Sequence, residues 1–421
     1  MYKLICIAFF LLLSLPLSAQ QTIKDIAQDK NYSAGNFRSY PVTKSTQPRA
    51  ELPEGYTPFY ISHIGRHGSR FHSAERYYKK PLDLLQKADA ARALTARGDS
   101  LLQTLTIIYQ DAEKRFGDLT PRGVREHKAI AKRMYENYPE VFTETDGFYP
   151  TVESRATMVV RCVLSMAAFN EGLKELNPKL NMVREASERY LDYMFVRKGG
   201  KSQYKKVKII VDSLKTQWIQ PERFISSVFN SKTFIDEEIK NSAQTVYDFF
   251  VVASIMQDVD YLHMNLYHLF TEQELYDLWR CINAHCYLSM GPSPQFGSYM
   301  FSDVKPLLKN FIETAQDVID GKHKVAATLR FGHDCSIIPL AAMLGIKGAS
   351  ASVGVNEIAN SWNVSEVSPM GTNLQMIFFK NKKGNIRVQI LLNEKIAYLP
   401  LPEAPFYKWD DLKQFCESQY Q

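Results

Sequence analysis

The chain has 421 residues, of which 45% are hydrophobic and 23% are charged, so it is long enough to bury a sizeable core and too apolar to be disordered. Its formal net charge of +6 is mild for this length. It excludes the strongly basic surface of a typical nucleic-acid-binding protein, although it suits an anionic substrate. Six cysteines are too few for a disulfide scaffold of this size.

The chain begins with a segment that is typical of an export signal. Lys3 gives a short basic start, an apolar run follows, and LSA at 17–19 supplies the small residues that precede a cleavage site. A membrane anchor is disfavoured because the apolar run is shorter than the about 20 residues that span a bilayer. We therefore predict a signal peptide at 1–19, an exported protein that is periplasmic or extracellular, and no stable membrane insertion.

The next part of the sequence leads into a strand and a basic loop. Residues 20–52 are polar and rich in turn formers, which predicts an extended N-terminal arm that wraps the surface. TPFYISHIG at 57–65 is short and β-rich and predicts a strand, and GRHGSR at 65–70 follows it directly. Residues 75–116 are helical, and Thr120 is placed as the N-cap of a further helix whose first residue is proline.

The middle of the chain changes character. YPTVESRATMVV at 149–160 is β-like, and RCVLSMAAFNEGL at 161–173 is a helix that is expected to stop at Gly172. Between 175 and 320 amphipathic helical patterns dominate and no strand is predicted. Residues 175–320 are therefore interpreted as a helical domain inserted into an α/β domain made of 53–174 and 321–421.

An α/β pattern resumes after the insert. KVAATLRFG at 324–332 is a nearly continuous apolar run, as expected of a strand buried on both faces. SIIPLAAMLG at 336–345 is a helix that ends at glycine, and two strands within 373–394 form a hairpin. The predicted fold is α/β, with a mixed, mostly parallel sheet, helices on both faces and an inserted, mainly helical cap domain.

Ligands of open α/β sheets bind beyond the carboxyl ends of the strands, and GRHGSR lies at such an end. Arg66 and Arg70 flank His67, and guanidinium groups donate paired hydrogen bonds to phosphate oxygens. Their charge disfavours imidazolium, and a neutral imidazole nitrogen can attack phosphorus. Gly65 and Gly68 are expected to let the backbone bend and a ligand approach. Taken alone, however, the segment is also compatible with a solvated basic loop.

A second segment at a strand end, FGHD at 331–334, supplies what the first lacks. A carboxylic acid such as Asp334 can protonate the leaving oxygen of a phosphoester, and the N-terminus of the following helix attracts anions. The alternative role of Asp334 is to cap that helix. No Asp and Glu cluster for a metal accompanies the two segments, so no cofactor and no metal are predicted, and the arginines are expected to stabilise charge on the transferred phosphoryl group.

These residues carry a resemblance to a known family. RHGSR at 66–70 with HD at 333–334 resembles the histidine acid phosphatases and phytases, clade two of the histidine phosphatase superfamily. LTPRGVREH at 119–127 is similar to the family's helix after the first strand, and RCVLSMAAF at 161–169 resembles its segment with a third phosphate-binding arginine. The pattern NLQMIFFK…VQILLNEKIAYLPLP at 373–402 looks like that of the multiple inositol polyphosphate phosphatases within this family.

The resemblance assigns roles to individual residues. It implies a nucleophile, His67, and a proton donor, Asp334. It also implies four phosphate-binding residues: Arg66, Arg70, Arg161 and His333. Arg155 follows the same strand as Arg161 and competes for the third-arginine role, but the RxxxS pattern and aromatic run after Arg161 favour the latter. His72, just past the basic loop, is a candidate for the pocket wall.

The chain departs from the inositol polyphosphate phosphatases at the acid. That branch usually carries His-Ala-Glu where this chain has His333-Asp334-Cys335, so the acid is one residue nearer and one methylene shorter. This departure leaves the positional preference on an inositol ring open. The strongly basic segment 197–206 either reaches the outer phosphates of a polyanionic substrate or is a solvated face.

The sequence thus predicts an exported phosphomonoesterase that acts on inositol polyphosphates such as phytate through a phosphohistidine intermediate. A broad-specificity acid or sugar-phosphate phosphatase is the first alternative, and a non-catalytic phosphate-binding protein on the same scaffold is the second. The expected partner is a small phosphorylated substrate and not a nucleic acid. The sequence predicts no particular oligomeric state.

Overall fold

The computed structural model describes residues 16–43, 50–144, 147, 149–194 and 201–420. In this part of the chain the strands are β1 Tyr56–Arg66, β2 Thr151–Ala156, β3 Asn181–Ala186, β4 Ala327–Gly332, β5 Asn373–Asn381, β6 Ile386–Leu392, β7 Lys395–Ile396 and β8 Tyr407–Lys408. The α-helices are α1 Pro16–Gln28, α2 Arg76–Ala90, α3 Ala96–Ala112, α4 Pro121–Asn137, α5 Val160–Leu176, α6 Leu191–Met194, α7 Lys201–Trp218, α8 Glu222–Val228, α9 Lys232–Glu238, α10 Ser242–Ala253, α11 Glu272–Met290, α12 Gly297–Ile319, α13 Asp334–Met343, α14 Ile358–Ser361, α15 Val364–Val367 and α16 Trp409–Tyr420.

The strands form one mixed sheet. Their order is β3-β2-β4-β1-β5-β6-β7, and β8 pairs with β6. The first four strands of this order are parallel to one another, whereas β5 is antiparallel to β1 and β6 is antiparallel to β5. Since β6 therefore points the same way as β1, most of the strands share one direction. The predicted mixed, mostly parallel sheet is confirmed.

The register of the two central strands brings the two motifs together. β1 and β4 pair in parallel from Ile61 opposite Ala327 to Arg66 opposite Gly332. β4 is buried along its whole length, as its apolar run predicted. Because both strands end at the same level, the segments GRHGSR and FGHD leave the sheet side by side.

Helices cover both faces of the sheet. Successive residues of β1 face opposite sides, so that Tyr60 and Ile64 belong to one core cluster and Ile61 to the other. The cluster of Ile61 also contains residues of α4 and α5 such as Ile130 and Phe169. The cluster of Tyr60 is larger and extends into the helices between 201 and 319. The layered arrangement follows from the alternating burial of the strands.

The prediction that the middle of the chain contains no strand is wrong. The sequence between 175 and 320 predicts no strand, yet β3 pairs in parallel with β2 and forms an edge of the sheet. Its side chains are exposed or half-buried, so its hydrophobic pattern is weak. The helix α5 also continues past Gly172, which packs against the backbone of Lys128 on α4. The division of the chain into an α/β domain and an insert at 175–320 remains a prediction.

The N-terminal segment is not the extended surface arm that its composition predicts. Residues 16–28 are helical, and a 3₁₀ helix covers Lys30–Phe37, with the Asp29 side chain capping its first turn. Tyr32 and the four residues after it are buried. The predicted signal peptide lies outside the described residues except for 16–19, which begin α1. None of the helices described is long and apolar enough to cross a membrane.

Candidate active site

The basic loop after β1 and the start of α13 meet at the carboxyl ends of β1 and β4. The backbone N–H of His67 donates to the Gly332 carbonyl at 3.0 Å, one step beyond the last paired residues of the two strands. The backbone N–H of Gly371, before β5, donates to the His67 carbonyl at 3.0 Å. These two bonds fix the backbone of His67 between neighbouring strands and give its side chain a defined position.

The His67 imidazole is buried and held in one tautomer. Its Nδ1 lies 2.9 Å from the carbonyl oxygen of Gly68, which can only accept, so Nδ1 carries the proton and Nε2 keeps its lone pair. Burial lowers the pKa of His67 well below its ordinary value. The positive charges of Arg66, Arg70 and Arg161 lower this pKa further. The ring is therefore neutral near neutral pH, with a nucleophilic nitrogen.

Arg66 is fully buried and joins three parts of the chain. Its Nη1 donates to the Asn36 carbonyl at 2.5 Å and to the Ser368 carbonyl at 3.0 Å. Its Nη2 lies 3.1 Å from Oδ2 of Asp334. A planar guanidinium has donors in fixed directions and suits such a junction. Arg66 is thus a charged anchor that ties the N-terminal segment to both motifs.

Arg70 and Arg161 add two more cations to this centre. Burial and the charge of Arg66 lower the pKa of Arg70 to about 10, and burial also lowers the pKa of Arg161. Burial is the main cause of both shifts, and for Arg70 the charges of Arg66 and Arg161 add to it. The Nε atoms of all three arginines are buried and have no hydrogen-bond partner among the described residues. An anion bound between them would relieve both conditions.

His333 faces His67 across the site. It is the N-cap residue of α13, and the centre of its ring lies 5.6 Å from that of His67. Its Nε2 lies 3.3 Å from the hydroxyl of Thr157, just after β2. Burial lowers the pKa of His333 to about 4, with Arg161 lowering it as well. A second neutral imidazole therefore lies beside the first.

Asp334 is the first residue of α13 and the only carboxylate that contacts Arg66 in the described part of the chain. Its Oδ1 accepts from the backbone N–H of Cys335 at 2.9 Å, within the first turn of the helix, but the N-cap residue is His333 and not Asp334. Its Oδ2 accepts from Arg66 and, at 3.1 Å, from Nδ2 of Asn36. Burial raises the pKa of Asp334, but Arg66 and His333 outweigh burial and hold it below its ordinary value.

His72 and Arg155, the two remaining candidates from the sequence, lie in different places. His72 is buried, and its Nε2 donates to the Val251 carbonyl at 2.6 Å. Burial lowers the pKa of His72 to about 3, so it is a neutral wall residue. Arg155, by contrast, is engaged on β2 by Glu153 at 3.1 Å and by Glu185 at 3.8 Å. The structure therefore brings Arg161, and not Arg155, to the arginine cluster.

Several residues that support the loop from behind have no signal in the sequence. Glu126 of α4 accepts from the backbone N–H of Ser69 at 2.8 Å, from its hydroxyl at 2.7 Å and from the Tyr40 N–H at 2.8 Å. Asp258 accepts from the hydroxyl of Ser39 at 2.6 Å, and its Oδ1 lies 2.9 Å from the Ser69 hydroxyl, whose single proton cannot be donated to Glu126 and Asp258 at once. Burial and the nearby Glu126 raise the pKa of Asp258 to about 8, and burial also raises that of Glu126. The buried pair therefore keeps a proton near neutral pH.

The close approach that Gly68 permits is to protein backbone. A Cβ at this position would lie 2.7 Å from the Cα and the carbonyl oxygen of Gly123 in α4. The N–H of Gly68 donates to the hydroxyl of Ser165 in α5 at 3.1 Å. Helices α4 and α5 thus pack closely against the loop, and a side chain at position 68 would push the loop away from the strands.

A cationic cavity opens beside Arg70 and His72. It has a volume of about 670 Å³. Its charged lining consists of five basic and two acidic side chains: Arg70, Arg76, Lys80, Lys208, Lys215, Asp212 and Asp248. Tyr204, within the predicted basic segment 197–206, and Lys208, just after it, line the cavity from α7, and residues 197–200 of that segment lie outside the described residues. Arg70 is shared between this cavity and the arginine cluster.

Comparison with known proteins identifies a family and a curated relative. Residues 61–393 match the family described as "Histidine phosphatase superfamily (branch 2)". The multiple inositol polyphosphate phosphatase 1 of Gallus gallus is 21% identical over 396 residues, which cover 88% of this chain and 83% of that protein.

Two solved structures share the fold. The multiple inositol polyphosphate phosphatase of Bifidobacterium longum in complex with inositol hexasulfate has a TM-score of 0.75 and 17% identity, over 91% of this chain and 97% of that one. The phytase from D. castellii has a TM-score of 0.67 and 14% identity, over 92% and 85%. With the family match covering most of the sequence, the chain belongs to branch 2 of the histidine phosphatase superfamily and is a phosphoric monoester hydrolase.

Proposed function

We propose that this phosphatase hydrolyses inositol polyphosphates through a phosphohistidine on Nε2 of His67, with Asp334 as the proton donor. The observation that carries the proposal is the position of Arg70, which belongs both to the cluster around the neutral His67 and to the wall of the cationic cavity. The scissile phosphate would bind in the cluster, and the other phosphates of the same substrate would extend into the cavity.

In the first step, Nε2 of His67 attacks phosphorus and forms a P–N bond while the ester P–O bond breaks. The leaving oxygen takes the proton of Asp334, which releases an alcohol and leaves a carboxylate. Arg66, Arg70 and Arg161 bind the phosphoryl oxygens and stabilise their charge. His333, whose ring lies 5.6 Å from that of His67, donates a hydrogen bond to the same phosphate in this proposal.

In the second step, a water molecule attacks phosphorus and the P–N bond breaks, so that its electron pair returns to Nε2 of His67. The Asp334 carboxylate takes one proton from the water, which regenerates the acid and yields inorganic phosphate. Asp334 must be protonated when the ester enters. A phosphate that engages Arg66 neutralises the charge that holds the pKa of Asp334 down, so substrate binding itself favours the acid form.

The preference for a polyphosphorylated substrate rests on the cavity. Its lining carries a net excess of basic side chains, which attract further phosphate groups. The relatives named above are inositol polyphosphate phosphatases and a phytase, which supports the same substrate class. A broad acid or sugar-phosphate phosphatase would have no use for this excess of charge beyond Arg70.

We also propose that the enzyme is exported to the periplasm or beyond, on the basis of the signal-like pattern at 1–19. Fractionation of cells that express the full chain, with mass determination of the mature N-terminus, tests this proposal. Recovery of an uncleaved chain in the cytoplasm would refute it.

The chemistry is tested with His67→Ala and the matched control His72→Ala, which removes a neutral imidazole that binds the Val251 carbonyl. We expect no phytate turnover for the first variant and measurable turnover for the second, with loss of an acid-labile, alkali-stable phosphoenzyme only in the first. The substrate class is tested separately by comparing kcat/KM for phytate, glucose 1-phosphate and an aryl phosphate. Equal values for the three would favour the broad-specificity alternative.

A further inference from the structure

The N-terminal 3₁₀ segment Lys30–Phe37 lies outside the family match, which begins at residue 61, and it nevertheless reaches the centre of the site. It is packed tightly at Gly35, which has a φ of +62° and where a Cβ would lie 2.6 Å from Cγ2 of Ile282 on α11. Phe37 packs edge-to-face on His72, with ring centres 5.0 Å apart. The segment is therefore fixed against the folded core and not laid loosely over it.

Asn36 makes two contacts with the catalytic centre. Its carbonyl accepts from Nη1 of Arg66 at 2.5 Å, and its Nδ2 donates to Oδ2 of Asp334 at 3.1 Å. Its Oδ1 is buried and has no partner among the described residues, although Asn36 is only 9% exposed. A buried amide with one end bound to an acid and the other end unpaired is costly unless it acquires a partner in some state of the protein.

The contacts of Asp334 show what this amide can do. Oδ2 of Asp334 has two donors, Arg66 and Asn36. If the phosphate of the substrate engages Arg66, Asn36 is the donor that remains on this oxygen. A carboxamide carries both a donor and an acceptor, so it can pair with a carboxylate through N–H and with a carboxylic acid through its oxygen.

We propose that Asn36 is a positioning residue for Asp334, which it holds in place in both protonation states of the catalytic cycle. This inference rests on the proposed role of Asp334 as proton donor. The hydrogen bond from Asn36 favours the carboxylate, so its removal should move the ionisation of Asp334 to higher pH. The other ionisable groups around Asp334 are Arg66 from β1, Arg70 from the loop, Arg161 and Cys162 from α5, His285 and Cys286 from α11, and His333 and Cys335 beside it.

The test compares Asn36→Ala and Asn36→Asp with Asn31→Ala, a control in the same segment whose side chain lines a different cavity. For an alkyl phosphate, we expect Asn36→Ala to lower kcat/KM about tenfold or more, as for loss of a hydrogen bond to a charged group. The alkaline limb of its pH profile should move up by about half a unit to one unit. Asn36→Asp should move it further in the same direction, because a second carboxylate would face the first.

A leaving-group comparison separates positioning from simple structural damage. p-Nitrophenolate leaves without protonation, so Asn36→Ala should affect p-nitrophenyl phosphate several-fold less than an alkyl phosphate. Equal losses on both substrates, or a limb that does not move, would overturn the inference. Asp334→Asn is run in parallel: if it abolishes the alkaline limb while Asn36→Ala leaves the limb unmoved, only the role of Asn36 fails. If Asp334→Asn itself keeps full activity on the alkyl phosphate, the proposed proton donor is wrong.

Discussion

The two sides of the basic loop have opposite electrostatic character. On the front, towards the cavity, three arginines surround a neutral His67 and outnumber their counter-charges. On the back, two buried carboxylates, Glu126 and Asp258, both lie within hydrogen-bond distance of the Ser69 hydroxyl, Glu126 also accepts from the Ser69 N–H, and the pair keeps a proton. Both environments contact the same loop, the six residues 65–70. The front has one carboxylate, Asp334, against three arginines, and the back has one cation, Arg122 at 3.5 Å from Glu126, against two carboxylates. An anionic substrate therefore offsets the excess charge of the front, and a bound proton offsets that of the back.

This contrast explains why the loop can be rigid without substrate. Ser69 is held from behind by the bond from its N–H to Glu126 and by the contacts of its hydroxyl with Glu126 and Ser39, which fixes the backbone. The front can then keep like charges close together, because backbone position no longer depends on them. The buried acids thus hold the backbone of the loop in place, and the arginines bind the phosphate of the substrate.

The largest loss of activity is expected for a substitution of Arg66, on the front of the loop. Arg66→Lys keeps the charge but loses the fork that contacts Asn36, Ser368 and Asp334. Lysine can keep one of these three contacts, and the two that are lost, at about 1.5–3 kcal/mol each, correspond to a fall in kcat/KM of roughly 10²- to 10⁴-fold. Steady-state kinetics on phytate measure the fall. Activity within tenfold of the unmodified enzyme would mean that the positive charge alone suffices.

The next largest effect is expected at the back. Glu126→Gln replaces one carboxylate oxygen by an NH₂ group that meets donors, so at least one of the bonds from Ser69 and Tyr40 is lost. We expect a loss of about 2–4 kcal/mol in the free energy of unfolding. Thermal or urea unfolding measures it, with the exposed Glu171→Gln as control, for which the change should stay within about 0.5 kcal/mol. An unchanged midpoint for Glu126→Gln would show that the back does not stabilise the loop.

A smaller effect, visible through pH, should come from Asp258→Asn. The pKa of Asp258 in the folded protein, about 8, lies above its ordinary value of 3.8. Its contribution to stability is therefore complete below the ordinary value and is lost as pH rises towards the folded value. The asparagine variant has no such loss. Relative to the unmodified protein it should gain about 1 kcal/mol per pH unit between roughly pH 5 and pH 8. Parallel stability curves across this range would contradict a shared proton.

The smallest effect is expected at Arg155, the arginine that sequence reasoning placed in competition with Arg161. Arg155 is bound by Glu153 and Glu185 on β2 and β3, away from the cluster. We expect Arg155→Lys to change kcat/KM by no more than about twofold, while Arg161→Lys lowers it at least about tenfold. A larger fall in kcat/KM for Arg155→Lys than for Arg161→Lys would mean that Arg155, and not Arg161, is the third phosphate-binding arginine.

The sequence predicted the sheet well where burial is complete. β4 appears as a nearly continuous apolar run and β5 was predicted as a strand of a hairpin, and the motifs at the ends of β1 and β4 mark the site without knowledge of the pairing. β3 was missed because it is an exposed edge strand with no apolar alternation. Its position depends on a neighbour, β2, and not on its own pattern.

The residues that hold the site together were harder to find. Glu126 occupies a helix face together with Ile130, but a lone glutamate in a helical pattern is usually interpreted as solvent-exposed. Asn36 and Ser39 lie in a polar stretch whose composition is typical of a surface loop. Their partners, Asp334 and Asp258, are far away in the sequence, so no local pattern reveals them. Chemistry that a motif carries is readable, whereas support from distant single residues is not.

The backbone bond from His67 to Gly332 also bears on how the enzyme forms. It joins the loop after β1, near the start of the family match, to β4, which follows the helices between 201 and 319 in the sequence. Long-range pairing of this kind closes a large loop and is slow compared with helix formation. During refolding, helical signal should therefore return before the nucleophile is in place. Regained turnover is thus a stricter measure of completed folding than regained secondary structure.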